Sequence, residues 1–275
     1  MNNTSDRIAA RRREFKRLHE SGCFVLPNPW DAGSARYLQS LGFQALATTS
    51  SGFAWSQGLP DGRLSRAQVL AHLREMVAAT DLPINADFES GYADDPHGVT
   101  ESVRLAVATG VAGLSIEDST GDAAQPVRDI GDAVARIRAA RRAIDETGGD
   151  TLLVGRAENF FLGRPDLADT LRRLQAYAEA GADCLYAPGI RTPEEIAAVV
   201  AAVAPKPVNL LVGSASPLTL QDIAALGVRR VSIGGGLARA AWGGLMRAAS
   251  LIATEGRFDG LADAASGKVL DDLMG

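Results

Sequence analysis

The sequence repeats one unit, a short apolar segment followed by a longer amphipathic segment, from about residue 23 to residue 254. Short apolar runs are typical of strands buried on both faces, and segments with a period of 3.6 residues are typical of helices that cover a sheet. Strands are predicted near 23–26, 45–48, 83–87, 113–117, 152–156, 184–187, 208–211 and 230–233. The helices that follow them are predicted at 33–41, 65–79, 98–109, 130–146, 166–180, 193–203, 219–226 and 237–254. This succession predicts a parallel sheet covered by helices.

Four helix-to-strand junctions share one pattern, in which a glycine ends the helix and an apolar strand follows. A glycine in this place suits the left-handed conformation just past a helix. The four glycines are Gly42, Gly110, Gly181 and Gly227. An open doubly wound sheet is the alternative, but no GxGxxG follows the first strand, and the glycines at 234–236 follow the eighth strand, where barrels often bind anions. The predicted fold class is therefore α/β, with a closed (β/α)8 TIM barrel.

Both ends of the chain are expected to add helices to this barrel. Residues 5–21 place Ile8, Phe15 and Leu18 on one face, which predicts a helix that closes the bottom of the barrel. Residues 256–275 resemble an extra helix that packs on a partner, because its apolar side chains would otherwise be poorly covered. We expect one domain, with the barrel and N-terminal helix in 1–255 and a helical extension in 256–275.

Composition restricts the possible partners and compartment. The net charge is −5, and the only cluster of basic residues is ARRR at 10–13, so a nucleic-acid or anionic-membrane surface is not expected. No window approaches eighteen apolar residues, and the first twenty residues lack the apolar core of a secretory signal. Cys23 and Cys184 lie in apolar runs, which suits buried, reduced thiols. We therefore expect a cytoplasmic protein with small soluble partners.

The segment PINADFESGY, from Pro83 to Tyr92, carries two acids at the end of a buried strand. Asp87 and Glu89 are two residues apart, so both would point to one side if the extended geometry persists, with Asn85 on the same side below. Two carboxylates this close repel unless a cation lies between them. We interpret the pair as a magnesium site, and a helix-capping or loop-ordering role for each acid is the alternative.

Other polar side chains follow the ends of several predicted strands. In a (β/α)8 barrel these ends form the rim that carries the active site. The rim residues are Asp31, Ser51, Gly52, Asp61, Asp87, Glu89, Glu117, Arg156 and Asn209. So many carboxylates are costly to desolvate without compensation, and a hard cation that retains water is the usual remedy. The sequence therefore predicts bound Mg²⁺, with Arg156 holding a substrate carboxylate through a bidentate fork.

The motifs at this rim resemble those of the isocitrate lyase/phosphoenolpyruvate mutase superfamily, from about Leu26 to Gly256. They read PNPWDAGSARYLQSLGFQAL, TTSSGFA, GLPDGRLS, NADFESGYADDP, GLSIED and GRAENF, in that order. The resemblance implies a phosphoenolpyruvate mutase-like barrel whose eighth helix is exchanged between subunits of a homodimer or homotetramer. It also implies a 2-oxo acid bound on Mg²⁺ and a carbon–carbon or carbon–phosphorus bond made or broken beside it.

The resemblance also implies roles for individual residues. Asp87 matches the direct metal ligand, and Glu89 and Glu117 match acids that hold metal-bound water; Glu89 stands where Asp is more usual. Ser51, Gly52 and Phe53 match the segment that holds the oxo-acid carboxylate, and Asp61 matches the acid on the loop after the second strand. The predicted catalytic residues are Asp61, Glu117 and Arg156, and Asp87, Arg156 and Asn209 are also predicted to contact substrate.

Two departures from the family pattern bear on the reaction. Isocitrate and methylisocitrate lyases carry a KKCGH-like run after the fourth strand, whereas this chain has STGDAAQPVRD, with no Cys, Lys or His. Pro188 stands at the end of the sixth strand, where other branches place a catalytic His or Glu. Lys206 precedes the seventh strand, at the wrong end of the barrel for Schiff-base chemistry.

The leading hypothesis is therefore a Mg²⁺-dependent lyase or oxaloacetate-type decarboxylase that acts on a small 2-oxo or hydroxy acid. Decarboxylation tolerates the loop after the fourth strand, since solvent can protonate the enolate that remains. The alternatives are carbon–phosphorus chemistry on phosphonopyruvate, for which Gln125 and Arg128 are the candidate groups, and a catalytically silent oxo-acid binding protein.

Overall fold

Eight short parallel strands form a nearly closed barrel in the computed structural model, which describes residues 3–275. The strands are β1 (Phe24–Leu26), β2 (Leu46–Ala47), β3 (Ile84–Asp87), β4 (Gly113–Glu117), β5 (Leu152–Arg156), β6 (Cys184–Tyr186), β7 (Val208–Leu211) and β8 (Arg230–Ser232). Their order in the sheet is β1-β8-β7-β6-β5-β4-β3-β2, and every registered pair is parallel. The predicted (β/α)8 barrel is confirmed.

The barrel has one weak seam, between β1 and β2. The backbone N–H of Ala47 donates to the carbonyl of Pro27 at 3.0 Å, which is the hydrogen bond that joins these two edges. On its other side β2 pairs with β3, where Leu46 aligns with Ile84 and Ala47 with Asn85. The sheet order therefore runs from β1 round to β2. Among the residues described this is the only backbone bond across the seam, and the side-chain amide of Asn28 adds a second contact by donating to the carbonyl of Thr48 at 2.9 Å.

Helices surround the barrel and cover its outer face. They are α1 (Asn3–Leu18), α2 (Ala32–Ser40), α3 (Ser50–Ser56), α4 (Arg66–Ala79), α5 (Pro96–Val107), α6 (Ile130–Glu146), α7 (Leu167–Glu179), α8 (Pro193–Val203), α9 (Leu220–Ala225), α10 (Gly236–Glu255) and α11 (Gly267–Met274). The four junction glycines have positive φ, from 83° at Gly42 to 108° at Gly181, as predicted.

Helix α3 lies between the predicted strand at 45–48 and the predicted helix at 65–79, where the sequence predicted no helix. Thr49 begins the helix, and its side-chain oxygen accepts a hydrogen bond from the N–H of Gly52. Such an N-cap stabilises a helix that is too short to be stable on its own. The helix lies directly after β2, at the rim of the barrel.

Helix α1 closes the end of the barrel opposite the rim, as the sequence predicts, although it ends at Leu18 rather than near residue 21. Phe15 is fully buried and packs in the barrel interior with Phe24 and Leu26. The guanidinium of Arg12 donates to the carbonyls of Val107 and Val111, at 2.9 and 3.1 Å. These contacts fix α1 to the segment that precedes β4.

Helix α10 stands apart from the barrel, since Ala238 is the only buried residue among its twenty. Its exposed apolar residues include Leu237, Trp242, Leu245, Met246 and Ile252. No helix within residues 3–275 combines the length and apolarity needed to cross a membrane.

The chain after α10 does not form the single helix expected over residues 256–275. Gly256 ends α10 in the left-handed conformation, and a 3-10 turn at Asp259–Leu261 precedes α11. Helix α11 lies along α2, where the guanidinium of Arg36 donates to the carbonyl of Met274. Leu261, Val269 and Leu270 remain exposed.

Candidate active site

A cavity of about 560 Å³ opens at the carboxyl ends of the strands. Of the predicted site residues, Ser51, Asp61, Asp87, Arg156 and Asn209 line it. Gly52, Phe53, Glu89 and Glu117 stand behind this lining. Five of the predicted rim residues thus share one pocket, which also includes the loops after β7 and β8, whereas the Asp31 side chain caps α2.

Asp87, the last residue of β3, is held by contacts from three directions. One carboxylate oxygen accepts the backbone N–H of Ser50 at 3.0 Å, and the other accepts the guanidinium of Arg156 at 3.3 Å. Its own N–H donates to the hydroxyl of Thr48 at 2.9 Å. The carboxylate is therefore fixed between the start of α3 and the end of β5.

Glu89 approaches Asp87 by a route different from the one predicted. The strand ends at Asp87, and Glu89 has a φ of 45°, so the extended geometry does not continue through it. The hydroxyl of Tyr92, itself at a φ of 52°, donates to Glu89 at 2.6 Å. Two non-glycine residues with positive φ only three positions apart are unusual and mark a constrained loop. The chain therefore does not stay extended through Glu89 as expected, but the Glu89 carboxylate still lies near those of Asp87, Glu117 and Asp61.

Burial and the charges of neighbouring acids raise the pKa values of Glu89, Glu117 and Asp61. Burial, followed by the charges of Asp87, Glu117 and Asp61, raises the pKa of Glu89 to about 7, against the hydrogen bond from Tyr92. Burial also raises the pKa of Glu117, and Asp87 adds to this effect while Arg156 opposes it. Asp61 is exposed as a residue, but its carboxylate faces the cavity, and desolvation together with Asp87 raises its pKa. The cluster therefore carries excess negative charge.

This donor set fits a hydrated Mg²⁺. Within residues 3–275 no three His, Cys, Asp or Glu side chains lie close enough to hold a metal ion by themselves. Mg²⁺ usually retains several waters and takes only one or two carboxylates directly. Asp87 is the candidate direct ligand, and Glu89 and Glu117 would act through water. The raised pKa values of these acids agree with a site that requires a cation.

Arg156, at the end of β5, contacts three acids. Its Nη1 lies 3.3 Å from both Asp87 and Glu117, and its Nε donates to Glu158. The ring centre of Tyr186 lies 5.1 Å from the guanidinium carbon. The pKa of Arg156 is raised because the charges of these acids outweigh the desolvation that would lower it. The guanidinium is thus charged and held in one orientation.

Glu158 is the functional residue that sequence reasoning missed. It is 2% exposed, and burial raises its pKa while Arg156 beside it lowers it. Its backbone N–H donates to Asp118 at 2.7 Å. The other Asp118 oxygen accepts from Tyr177 at 2.6 Å and from Arg173 at 3.1 Å. A buried polar network therefore fixes Glu158, and Glu158 fixes Arg156.

Ser51 lies at the start of α3 and lines the same cavity as Arg156. Its backbone N–H makes no hydrogen bond to the residues described, so it is free to bind an anion. Gly235 in the β8 loop packs against it, because a Cβ on Gly235 would lie 2.7 Å from the Ser51 hydroxyl. The ring of Phe53 stacks on His72 at 3.8 Å, away from the cavity. Of the predicted carboxylate-binding segment, only Ser51 reaches the pocket.

Asn209 lies deeper in the barrel than a rim residue would. Its amide group donates to Ser232 at 2.9 Å, and its carbonyl accepts from Arg230 at 2.9 Å. The side chain is fully buried. Asn209 therefore belongs to the floor of the cavity.

The loop after β4 folds back on itself instead of presenting a proton donor. Ser119 and Val127 form an antiparallel bridge, and the Ser119 hydroxyl donates to Glu117 at 2.5 Å. Arg128 pairs with Asp132 at 3.1 Å and does not line the cavity. Neither this loop nor Pro188 supplies an acid group to the site.

Comparison with known proteins agrees with this geometry. The phosphoenolpyruvate phosphomutase family matches residues 15–253. A structure from Burkholderia cenocepacia J2315, described as a lyase/mutase, has a TM-score of 0.93 and 47% identity, covering 97% of this chain and 96% of its own. An oxaloacetate decarboxylase from Bradyrhizobium diazoefficiens is 32% identical over 70% of this chain and 68% of its own. A phosphonopyruvate hydrolase complex with oxalate and Mg²⁺ has a TM-score of 0.83 and 28% identity, covering 96% and 94%.

The eight-stranded parallel barrel, with Arg156 and a cluster of acids around it at the carboxyl rim, defines a class of (β/α)8 enzymes. The chain belongs to the phosphoenolpyruvate mutase family, within the isocitrate lyase/phosphoenolpyruvate mutase superfamily of lyases and mutases. The family resemblance noted in the sequence motifs is confirmed.

Proposed function

We propose that this protein is a Mg²⁺-dependent enzyme that cleaves a carbon–carbon bond in a small 2-oxo acid, with decarboxylation of oxaloacetate as its leading reaction. The observation that carries the proposal is Arg156, which is fixed by Asp87, Glu117 and Glu158 and lines the same cavity as Ser51. Two further findings support it. A decarboxylase of oxaloacetate is among its relatives, and a similar structure binds oxalate with Mg²⁺.

The side chains of this pocket can perform the reaction in a simple way. The guanidinium of Arg156 and the N–H and hydroxyl of Ser51 would bind the substrate carboxylate next to the 2-oxo group. Bound Mg²⁺, held by Asp87 and by water on Glu89 and Glu117, would polarise the 2-oxo group as a Lewis acid. Loss of the distal carboxylate as CO₂ leaves the electron pair in the enolate of pyruvate, and a proton from solvent then completes pyruvate.

Carbon–phosphorus chemistry has less support in this structure. Of the two residues considered for it, Arg128 is tied to Asp132, and neither Arg128 nor Gln125 lines the cavity. An oxo-acid binding protein without catalysis remains the alternative from another class, since the loop after β4 carries no acid donor.

A turnover assay with Mg²⁺ over oxaloacetate, phosphonopyruvate, isocitrate and 2-methylisocitrate tests the proposal. We expect kcat/KM to be highest for oxaloacetate or a related oxo acid, and lower for isocitrate, whose cleavage needs the missing proton donor. Isocitrate cleavage near 10⁴ M⁻¹s⁻¹, about the lower limit for ordinary enzymes, would contradict it. A thermal shift with every 2-oxo acid but no turnover would favour the binding protein.

We also propose that the chain forms homo-oligomers through α10. Its exposed Trp242, Leu245 and Met246 form an apolar surface that a second copy could cover. Light scattering would measure the assembly, and a monomer at micromolar concentration would contradict it.

A further inference from the structure

Arg230 occupies an unusual position inside the barrel. It begins β8 and points into the barrel interior, where it is 2% exposed and lines the bottom of the cavity. Its Nε donates to Asn209 at 2.9 Å, and its Nη1 lies 3.4 Å from Asn85 and 3.3 Å from a ring nitrogen of His19. Its Nη2 makes no hydrogen bond among the described residues.

The partners of Arg230 are all neutral. No acid in residues 3–275 forms a salt bridge with it, whereas the buried Arg136 and Arg173 pair with Asp132 and Asp118. His19 adds no charge, because burial and the nearby guanidinium lower its pKa to about 3. Arg230 itself stays charged, since the pKa of an arginine lies so far above neutrality that desolvation does not remove its proton. The barrel therefore holds a buried cation that has no ion-pair partner among the described residues.

Such a charge is expensive to keep. Desolvating an ion costs several kcal/mol, and a buried charge without a partner is normally replaced by a well-packed apolar side chain. Neutral amides recover only part of that cost. The charge of Arg230 is therefore explained better by a ligand than by the stability of the barrel.

The cavity provides a place for that ligand. Ser232 lies two residues beyond Arg230 on the same face of β8, and it is therefore about 7 Å nearer the carboxyl rim of the barrel. Asn209 connects them, since it accepts from Arg230 and donates to Ser232. An anion bound between Ser51 and Arg156 would thus lie above Arg230, with low-dielectric barrel walls between them.

We infer that Arg230 compensates the charge of the bound substrate from below, so that the pocket favours dianionic over monoanionic 2-oxo acids and their analogues. This inference rests on the proposed function, because it takes the ligand to be the small carboxylate bound at the rim. The effect is electrostatic and acts at a distance, so it depends on the charge of residue 230 more than on its hydrogen bonds. A unit charge within about 10 Å in a partly buried site changes affinity by roughly tenfold.

Calorimetric titrations in Mg²⁺ with oxalate and with pyruvate test the inference. Arg230→Met should lower the affinity for oxalate, a dianion, about tenfold, and the affinity for pyruvate, a monoanion, only about threefold. Arg230→Lys retains the charge but not the planar fork, and should keep most of the affinity for oxalate. The inference would be overturned if Arg230→Met bound oxalate as tightly as the wild type. It would also be overturned if Arg230→Met and Arg230→Lys lost the same amount of affinity for oxalate.

Thermal unfolding without ligand supplies an independent reading. The Arg230→Met variant should unfold at or above the midpoint temperature of the wild type, because the substitution removes a buried charge that has no ion-pair partner. The matched control is Arg12→Met, which removes a buried arginine that pairs with Asp150 at the opposite end of the barrel and should unfold at lower temperature with unchanged oxalate affinity. If Arg230→Met lowered the unfolding temperature as much as the control does, Arg230 would serve the stability of the barrel, and the inference would be wrong. If the wild type binds no oxalate, the proposed function fails, while the unfolding midpoints still decide the role of Arg230.

Discussion

Arg156 is surrounded by more negative charge than it can neutralise. Asp87, Glu117 and Glu158 all lie within ion-pair distance of its guanidinium, and Glu89 and Asp61 stand close by. One guanidinium cannot balance this number of carboxylates, so part of the cluster must be protonated or paired with a cation. This imbalance is the physical reason for placing Mg²⁺ beside Asp87.

Removal of single carboxylates should separate the direct ligand from the water-mediated ones. Asp87→Ala should weaken Mg²⁺ binding by more than about a hundredfold, whereas Glu117→Gln should cost about tenfold, because an amide still accepts a hydrogen bond from bound water. Calorimetric titration with Mg²⁺ measures both, and circular dichroism controls for the fold. Equal losses in the two variants would indicate that Glu117 binds the metal directly.

Individual site residues were predictable where they end a strand. Asp87, Glu117 and Arg156 are the last residues of β3, β4 and β5, so the strand pattern alone brings them to one rim. Glu158 was missed although it follows Arg156 by two residues, the same spacing as Glu89 after Asp87. That spacing was the available signal. The position of Arg230 offered no comparable signal, because a charge at the start of a strand usually faces solvent.

Helix α3 illustrates what local sequence could not supply at the scale of elements. Its seven residues, SSGFAWS, contain serines and a glycine, which are poor helix formers, and so the segment read as a loop. Tertiary contacts override this preference. Gly52 is packed so closely that a Cβ would lie 2.7 Å from Thr49 and 3.0 Å from Trp30. The longer helices have an apolar face of several turns, and their predicted limits agree with the structure to within a few residues.

The contact between α3 and the β8 loop gives a prediction at this scale. Gly235→Ala would place a methyl group 2.7 Å from the hydroxyl of Ser51 and 3.1 Å from the ring of Trp55. Ser51 must then move, so KM for oxaloacetate should rise about tenfold, as expected when a charge-assisted hydrogen bond is lost. Steady-state kinetics measures this change.

Gly131→Ala is the matched control for that substitution. A Cβ on Gly131 meets no atom within 4 Å, and the residue lies near the start of α6. Its KM should equal that of the wild type, and its stability should be unchanged or slightly higher. If both alanine variants had the same KM, Gly235 would have no part in placing Ser51.

At the scale of the whole molecule, the acid cluster should make stability depend on pH when no metal is bound. The pKa of Glu89 rises on folding from 4.5 to about 7, so the folded state binds this proton more tightly. Its contribution is therefore complete below about pH 4.5 and is lost as the pH rises through about 7. In EDTA the free energy of unfolding should fall by about 2 kcal/mol across this range.

Denaturant unfolding at several pH values checks this expectation. Glu89→Gln should flatten the dependence, and saturating Mg²⁺ should restore stability at the upper end of the range. A rise in the free energy of unfolding between pH 5 and pH 7.5 that is absent from Glu89→Gln would mean that the pKa of Glu89 is lowered by folding instead.

Because of the weak seam between β1 and β2, ligand binding is expected to change the rate of amide hydrogen exchange in the barrel. One backbone bond, from Ala47 to Pro27, and one side-chain bond, from Asn28 to Thr48, close the circle, and β2 runs directly into Thr49 and the start of α3, where Ser51 meets the cavity. The part of the site that would hold a carboxylate is therefore attached to the least secured strand. Amide protons along β2 should exchange with solvent sooner than those of β4 and β5, which are paired on both sides. A ligand that bridges Ser51 and Arg156 would tie the two sides of the pocket together and slow that exchange, so that occupancy of the site could be followed by deuterium uptake at Ala47.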